Sequence, residues 1–421
     1  MTLARAALVV TLSLAGCKEK NPNFCADSPD NLCSDGGIVE ECSAADPTCA
    51  VGVCKVESEK CVECLVNSDC TAAAPICDSG TNLCSPCTAH TECESRACMP
   101  GGECAMASAV AYVTGVTGDD NGMCTDIAPC RSVTRALTTG RRIIKLSGMV
   151  DDPVVFDNTP STIVLADPDT RLTRTGGGPI IDVKGTSNIT IHDLQIAGAS
   201  GGAGGIGVTI SGGSPTLALV NVRVNGNQGR GVVVNAGTIS IQRSMIFEND
   251  AGGLAILAAQ KVVVESTIIA NNGRSAGTSQ STLGAGTIEM VTDVAGSRFQ
   301  SNTVVANQNS VGSLLPAGLA CQVTALSAAG NIFYANVHGT SSDASQQKAG
   351  GCDFGNSFAS APVAGDLGFN LTSNPPQYHL VATSPATVLD VGGTCPMLDF
   401  DGEERPMNGA CDLGADELTA P

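Results

Sequence analysis

Four side chains in this chain of 421 residues are of the types that acid–base chemistry on a sugar requires. They are Lys184, Asp193, Arg223 and Arg243. A lyase that acts on an acidic polysaccharide needs a base, usually Lys or Arg, near carboxylates or calcium, and a hydrolase needs paired carboxylates. We therefore predict these four residues as a candidate ligand face, with exposed ion pairs on a solvated surface as the alternative.

A metal site is a second kind of chemistry that the sequence could support. Asp399 and Asp401, in the text Asp399-Phe-Asp-Gly402, resemble the start of a calcium loop, but the following positions do not continue the EF-hand spacing. The two aspartates are therefore kept as candidates, and the sequence predicts no cofactor, with calcium as the alternative. The histidines stand in four separate contexts and predict neither a ligand set nor a catalytic triad. They are His90, His192, His338 and His379.

Cysteines are concentrated near the N-terminus: of 21 in the chain, 14 lie between Cys25 and Cys104. Such density in a short segment is typical of an oxidising compartment, where disulfides replace a core that the segment cannot build. Zinc is the alternative, because Cys61-Val-Glu-Cys64 and Cys84-Ser-Pro-Cys87 are C-x-x-C pairs, but no histidine follows them at ligand spacing. The disulfide candidates are Cys25, Cys33, Cys42, Cys49, Cys54, Cys61, Cys64, Cys70, Cys77, Cys84, Cys87, Cys93, Cys98, Cys104, Cys124, Cys130, Cys321, Cys352, Cys395 and Cys411.

Between residues 42 and 104 the cysteines repeat in three sets of four, and adjacent sets are separated by two residues. The second and third sets share text, as in Cys64-Leu-Val-Asn-Ser-Asp-Cys70 and Cys87-Thr-Ala-His-Thr-Glu-Cys93. We predict three small modules with two disulfides each, whose connectivity stays open because four cysteines allow three pairings. The modules resemble the Dickkopf-like cysteine-rich repeats of bacterial surface lipoproteins. The resemblance implies a binding module or a stiff spacer, and the short polar loops favour the spacer.

Residues 1–16 contain one positive charge, Arg5, followed by an apolar run too short to span a bilayer, which predicts a signal peptide. The text Leu14-Ala-Gly-Cys17 resembles the lipobox of bacterial lipoproteins. That resemblance implies that Cys17 carries acyl chains such as palmitate, and several chains on one residue give stable membrane attachment. Lys18 is not the aspartate that favours retention in the inner membrane of that family, so we expect display on the outer membrane or cell surface. Residues 17–41 are predicted to form the lipid anchor and a polar tether.

The composition limits the partners of the chain. Its formal net charge is −19, which argues against nucleic acid because a nucleic-acid partner needs a basic footprint. Aromatic residues make up 3% of the sequence and tryptophan is absent, so few rings can stack on sugars or bases. We expect the membrane, reached through Cys17, and an extracellular glycan or protein as partners.

Short apolar runs separated by glycine and asparagine recur along residues 189–269, which is the pattern of a solenoid. Four of them begin at Ile189, Leu217, Ile239 and Val262, so their starts differ by 28, 22 and 23 residues. Each run has apolar residues at period two, which places one side against a core and the other in water. A propeller or sandwich is the alternative, but the hairpin turns that it needs do not recur at short, regular intervals. We predict a parallel β-helix of about ten to twelve coils.

One coil per repeat brings equivalent side chains into register along the stack. Asn227, Asn249 and Asn272 recur at spacings of 22 and 23 residues. We predict that their side chains hydrogen-bond up the stack, at a turn with left-handed backbone geometry. The outward polar positions form two stripes, the first with Asp193, Asn221, Arg243 and Glu265 and the second with Gln195, Arg223 and Met245. Three of the four candidate ligand residues therefore lie on these stripes.

Both ends of the repeat region resemble known families. The text from Ala111 to Leu137, with Cys124 and Cys130, resembles the opening of many right-handed parallel β-helix domains of the pectate-lyase-like superfamily. The resemblance implies a first strand, a disulfide-closed loop and a short capping helix. Residues 398–417 resemble the closing segment of β-helix surface proteins, and their acids are expected to form a polar cap. By neighbourhood, Cys321 is expected to pair with Cys352, and Cys395 with Cys411.

The sequence therefore predicts an all-β chain. A right-handed parallel β-helix occupies residues 105–421, with an N-terminal cap and a C-terminal closing segment, and a small disulfide-rich, loop-rich domain at residues 42–104 precedes it. We predict a non-catalytic protein displayed at the cell surface, which is adhesive or binds a glycan or protein through the flank of the β-helix. The first alternative is a polysaccharide lyase or glycoside hydrolase of the β-helix class, and the second is a structural spacer without a ligand.

Overall fold

The computed structural model describes residues 41–273, 283–310, 313–360, 367–371, 377–407 and 409–418. The chain divides into two compact units between Ala105 and Met106. Cys17, Cys25 and Cys33 lie outside the described residues, so the predicted lipid anchor and the first cysteine pair stay predictions. Within the described ranges, no helix is long and apolar enough to cross a membrane.

The first unit is held together by disulfides around two small antiparallel ribbons. One ribbon pairs Val53–Lys55 with Lys60–Val62, and the other pairs Ile76–Asp78 with Leu83–Ser85. In each set of four cysteines, the first pairs with the third and the second with the fourth. The disulfides are Cys42–Cys54, Cys49–Cys61, Cys64–Cys77, Cys70–Cys84, Cys87–Cys98 and Cys93–Cys104. Because these sulfurs are bonded to each other, they are not thiolate ligands for the alternative zinc site.

The second unit is a parallel β-helix, in which three long sheets run along the stack. Sheet A contains Val110–Thr114, Ile143–Ser147, Thr162–Ala166, Asn188–His192, Thr216–Val220, Thr238–Gln242, Lys261–Glu265 and Arg298–Gln300. Sheet B contains Met149–Asp151, Arg171–Thr173, Gln195–Ala197, Arg223–Asn225, Met245–Phe247, Ile268–Ala270, Thr303–Val305, Ile332–Tyr334 and Phe358–Ser360. Sheet C contains Val154–Asp157, Ile181–Gly185, Val208–Gly213, Arg230–Val234, Gly252–Ile256, Gly286–Ile288, Leu319–Cys321 and Lys348–Gly350.

The remaining elements are short. A two-stranded parallel pair joins Gln308–Asn309 and Val337–His338. Single 3-10 turns lie at Asn67–Asp69, His90–Glu92, Ala107–Ala109, Gly202–Gly204 and Ala344–Gln346. Sheet A has eight strands and continues through parallel bridges from Arg298 to Ser327 and from Ser327 to Asp353, so ten chain segments stack along it. This agrees with the lower end of the predicted range of about ten to twelve coils.

The predicted stacking of the apolar runs is confirmed. Ile189 pairs with Leu217, Leu217 with Ile239, and Ile239 with Val262, always in parallel. All four side chains are completely buried and belong to one continuous core that runs along the solenoid. Apolar residues that return to the same inner wall once per coil therefore define the register, because a slip of one residue would turn them outward.

Each apolar run contains two strands and a corner, a division that the sequence did not predict. The corner residues Asp193, Asn221 and Arg243 have left-handed φ values of 62°, 54° and 49°. This corner sends the chain from sheet A into sheet B. The next corner residue is Ser266, with φ 46°, so the predicted stripe was wrong about Glu265. Glu265 lies one residue earlier, on sheet A, where it pairs with Gln242 of the preceding coil.

The asparagine side chains form a hydrogen-bonded stack inside the solenoid, which we call the asparagine ladder. Asn227 Nδ2 donates to Asn249 Oδ1 at 2.8 Å, and Asn249 Nδ2 donates to Asn272 Oδ1 at 3.0 Å. The ladder continues through Asn307 and Asn336. The predicted left-handed geometry was placed wrongly. The left-handed φ falls on the residue before each asparagine of the ladder, namely Gly226, Glu248 and Asn271. This backbone turn directs the buried amide inward to its partners.

The first coil carries its own cap. Val110–Thr114 is the end strand of sheet A, and the disulfide Cys124–Cys130 closes the loop that follows. The helix Val133–Leu137 begins after Ser132, whose side chain accepts a hydrogen bond from Arg135 N at 3.1 Å. Val133 and Ala136 of this helix are buried in the solenoid core. Apolar surface that the first coil would otherwise expose is therefore covered.

Candidate functional site

The C-terminal segment lies along the flank of the solenoid and covers the outer face of sheet B. We call residues 367–371, 377–407 and 409–418 the tail. Its apolar residues form a second buried cluster with outward residues of four successive sheet B strands. The sheet contributes Met245, Phe247, Ile268, Ala270, Val305 and Ile332, and the tail contributes Leu367, Phe369, Tyr378, Leu380, Val388, Phe400, Leu413 and Ala415. The closing segment therefore adds a layer on the flank, a placement that the sequence did not predict.

The tail is held in shape by buried charges that contact its own backbone. The side chain of Arg405 is fully buried, and its Nε donates to Glu417 Oε2 at 2.9 Å. Its two other nitrogens donate to the carbonyls of Gly414 and Asp412. Asp399, one of the two candidate calcium ligands, accepts backbone N–H groups of three tail residues, including Asp401 and Glu417. Asp399 therefore serves the tail backbone, and burial raises the pKa of its carboxyl.

The structure separates the four residues of the predicted ligand face. Lys184 lies on sheet C, where its Nζ is 3.6 Å from Asp182 Oδ2. The other three residues lie on sheet B or at the corner that precedes it. Asp193 accepts a hydrogen bond from Asn221 Nδ2 at 2.6 Å. Arg223 is exposed on sheet B, and Arg243 occupies the corner in the next coil. Only the two arginines come together in one concave surface.

That surface is a groove between the sheet A to sheet B corner and the tail, and we call it the tail groove. Its smaller part has a volume of about 210 Å³ and is lined by Arg223, Arg243, Gln377 and Asp401, among others. Its larger part, of about 470 Å³, shares Arg243 and is walled on the tail side by residues 395–398. Ser266 Oγ donates to the carbonyl of Leu398 at 2.7 Å and fixes this wall against the solenoid.

The charged side chains of the tail groove differ in how they are paired. Glu265 is buried and forms an ion pair with Arg298. The hydrogen bond to Glu265 raises the pKa of the Arg298 guanidinium. Gln242 Nε2 donates a further hydrogen bond to Glu265 at 3.1 Å. In the part of the chain that the structure describes, neither the Arg223 nor the Arg243 guanidinium has a hydrogen-bond or ion-pair partner. Two cations in a concave surface that form no ion pair with its carboxylates are suited to bind an external anion.

A histidine and two aspartates meet at the tail side of this groove, a cluster that the sequence did not predict. His379 Nδ1 lies 3.1 Å from Asp401 Oδ2 and 3.0 Å from Asp416 Oδ1. Hydrogen bonds to these two carboxylates raise the pKa of His379 to about 10. The sequence showed no ligand spacing around any histidine, but the fold of the tail brings His379 Nδ1 and a carboxylate oxygen of each aspartate within 4.8 Å of one another.

One signal in the sequence could have located the tail groove. At equivalent outward positions of sheet B, Gln195 and Arg223 are followed by Met245 and Ile268. An outward row that changes from polar to apolar indicates that another segment covers the later coils. Met245 and Ile268 are each 1% exposed, whereas a stripe facing water was predicted for this row.

The chain was compared with known families, solved structures and curated proteins, and the family match agrees with the fold. The family described as right handed beta helix region matches residues 179–361. Among solved structures, pectate lyase Pel9A is similar over 74% of this chain and 96% of its own, with 14% identity and a TM-score of 0.45. A search of curated proteins finds no matching relative. The solenoid is thus a right-handed parallel β-helix.

Proposed function

We propose that this chain is a lipid-anchored, non-catalytic surface protein that binds a carboxylate-bearing glycan in the tail groove. The observation that carries the proposal is the pair of guanidiniums of Arg223 and Arg243, which line one cavity and have no partner among the described residues. Guanidinium groups bind carboxylates in bidentate geometry, and such charge-assisted hydrogen bonds are strong where water is partly excluded. A uronate residue offers the matching group.

The composition supports recognition by charge. Neutral sugars are usually held by stacking on aromatic rings, and aromatic residues make up only 3% of this chain. Among the described residues that line the groove, one carries an aromatic ring, Phe400, beside the two unpaired arginines. An acidic glycan would gain more from this surface than a neutral one.

A binding role without turnover fits the separation of the candidate residues. An eliminating enzyme needs a base positioned at the sugar carbon from which the proton leaves. Lys184, the lysine among the four candidates, lies on sheet C and forms an ion pair with Asp182. The two arginines remain for binding, and we assign them no base function.

The proposed location depends on Cys17. Acylation of this cysteine would attach the chain to the outer membrane, with the cysteine-rich modules as a spacer before the solenoid. Growth with labelled palmitate tests this. Wild-type protein should carry the label in the membrane fraction, and Cys17→Ser protein should be unlabelled and released. Equal labelling of both proteins would contradict the anchor.

Glycan binding is best measured with the soluble Cys17→Ser chain and immobilised polygalacturonate, with a neutral glucan beside it. We expect retention on the acidic glycan, a loss of about tenfold or more in affinity for Arg223→Gln and again for Arg243→Gln, and no change for Arg142→Gln. Arg142 is an exposed arginine outside the groove and serves as the matched control. Equal binding to both glycans, or unchanged binding by the double variant, would overturn the proposal. New unsaturated sugar ends would replace it with a lyase.

A further inference from the structure

The trio of His379, Asp401 and Asp416 has the composition and spacing of a transition-metal site. Imidazole nitrogen and carboxylate oxygen are both zinc ligands, at bond lengths of about 2.0–2.2 Å. A tetrahedron with such bonds has edges of about 3.3 Å. The two separations from His379 Nδ1, 3.0 Å and 3.1 Å, are already close to that edge.

The surroundings hold two of these three donors in place. His379 Nε2 lies 3.0 Å from Gln377 Oε1, which can only accept, so Nε2 carries a hydrogen and Nδ1 faces the two carboxylates. Asp416 is buried, and its second oxygen accepts the backbone N–H of Leu380 at 2.6 Å. Outer partners of this kind orient the ligands of metal sites.

We propose that His379, Asp401 and Asp416 bind a divalent transition-metal ion of the zinc class. Calcium fits less well, because it takes six to eight oxygen ligands and avoids nitrogen. Binding displaces the proton on Nδ1 to solvent, and the ion then takes over its contacts with both carboxylates.

The site lies at a cavity. Asp401 and Gln377 line the 210 Å³ part of the tail groove together with Arg223 and Arg243. Three protein ligands leave the fourth position of a tetrahedral ion open for water or an external ligand. A carboxylate that enters the groove could therefore meet both the arginines and the ion. The metal proposal does not depend on the glycan proposal, because the three donors are assembled within the tail.

The test uses cobalt(II), whose visible absorption becomes intense in tetrahedral sites, added to chelator-treated Cys17→Ser chain. We expect one equivalent to bind with such a spectrum and zinc to displace it. Asp401→Asn should weaken cobalt binding by about tenfold or more, and Glu404→Gln, which alters an exposed acid nearby, should leave it unchanged. Asp401 is 38% exposed, so its variant is expected to fold, and circular dichroism checks this.

Two results would overturn the metal proposal. One is the absence of a cobalt spectrum, which would leave the cluster as a protonated histidine between two carboxylates. The other is a spectrum that persists unchanged in Asp401→Asn and in His379→Gln. The titration is done without glycan, and glycan binding is measured in chelator. Failure of one proposal is therefore distinguishable from failure of the other.

Discussion

The earlier and later coils of sheet B share one interior but differ in their outer faces. In the earlier coils, which we call the open half, Gln195 and Arg223 stand in the outward row and contact water. In the later coils, which we call the covered half, the same row holds Met245 and Ile268, which the tail buries. The inner wall is apolar in both halves, since Ile196 and Ile246 are equally buried. The difference shows how a repeat gains a groove: the tail groove, our proposed ligand site, forms where the open half meets the covered half.

The largest expected effect comes from removing the charge that holds the tail together. Arg405→Met leaves Glu417 buried without its partner, which costs about 3–5 kcal/mol. The tail should then detach more readily, and the outer face of the covered half should become exposed as that of the open half is. Hydrogen exchange measures this, because the amides of Leu380 and Leu413 are bonded within the tail. Their exchange should accelerate strongly in Arg405→Met and remain slow in Arg142→Met. Unchanged protection would show that the tail does not depend on this ion pair.

A direct comparison of the two halves uses one outward position from each. Ile268→Ala should reduce the free energy of unfolding by about 2–5 kcal/mol, because it opens a cavity beneath the tail. Gln195→Ala, at the equivalent position of the open half, loses one surface hydrogen bond to Asn225 and should cost about 1 kcal/mol or less. Urea denaturation of both variants gives the two values. Similar losses would mean that the tail does not cover the later coils.

Variants of the asparagine ladder test whether the interior of the solenoid is the same in both halves. Asn227→Ala and Asn272→Ala each remove a buried amide and leave its backbone partners unsatisfied, at a cost of about 1–3 kcal/mol. Because the ladder runs beneath both halves, the two losses should be equal. Asn235 is exposed and provides the control, whose change to alanine should be nearly neutral. A much larger loss at Asn272 would indicate that the interior also differs between the halves.

The register of the solenoid could be predicted from the sequence, because it depends on a local pattern. Ile189 and its equivalents alternate with polar residues and return once per coil, so one inner wall satisfies all of them. The corners could not be predicted in the same way. Asp193 and Arg243 adopt left-handed φ values, for which a side chain other than glycine gives little warning. Missing the corners also shifted Glu265 by one residue.

The candidate site was only partly predictable, because it is made by packing between distant segments. Arg223 and Arg243 could be identified from their type and their place on the outward face. Their wall could not, since it comes from tail residues such as Asp401, more than a hundred residues later. The pairing of His379 with Asp416 joins residues 37 apart through the fold of the tail. Disulfide connectivity in the cysteine modules was open for a similar reason: spacing alone allows three pairings.

Hydrogen exchange of the Cys17→Ser chain, with and without polygalacturonate, tests the central claim most directly. If the tail groove is the ligand site, exchange should slow at residues 221–225 and 242–245 and in tail residues 395–401, while sheet C and the cysteine modules stay unchanged. Protection confined to sheet C or to residues 42–104, or no protection with a bound glycan, would contradict the account.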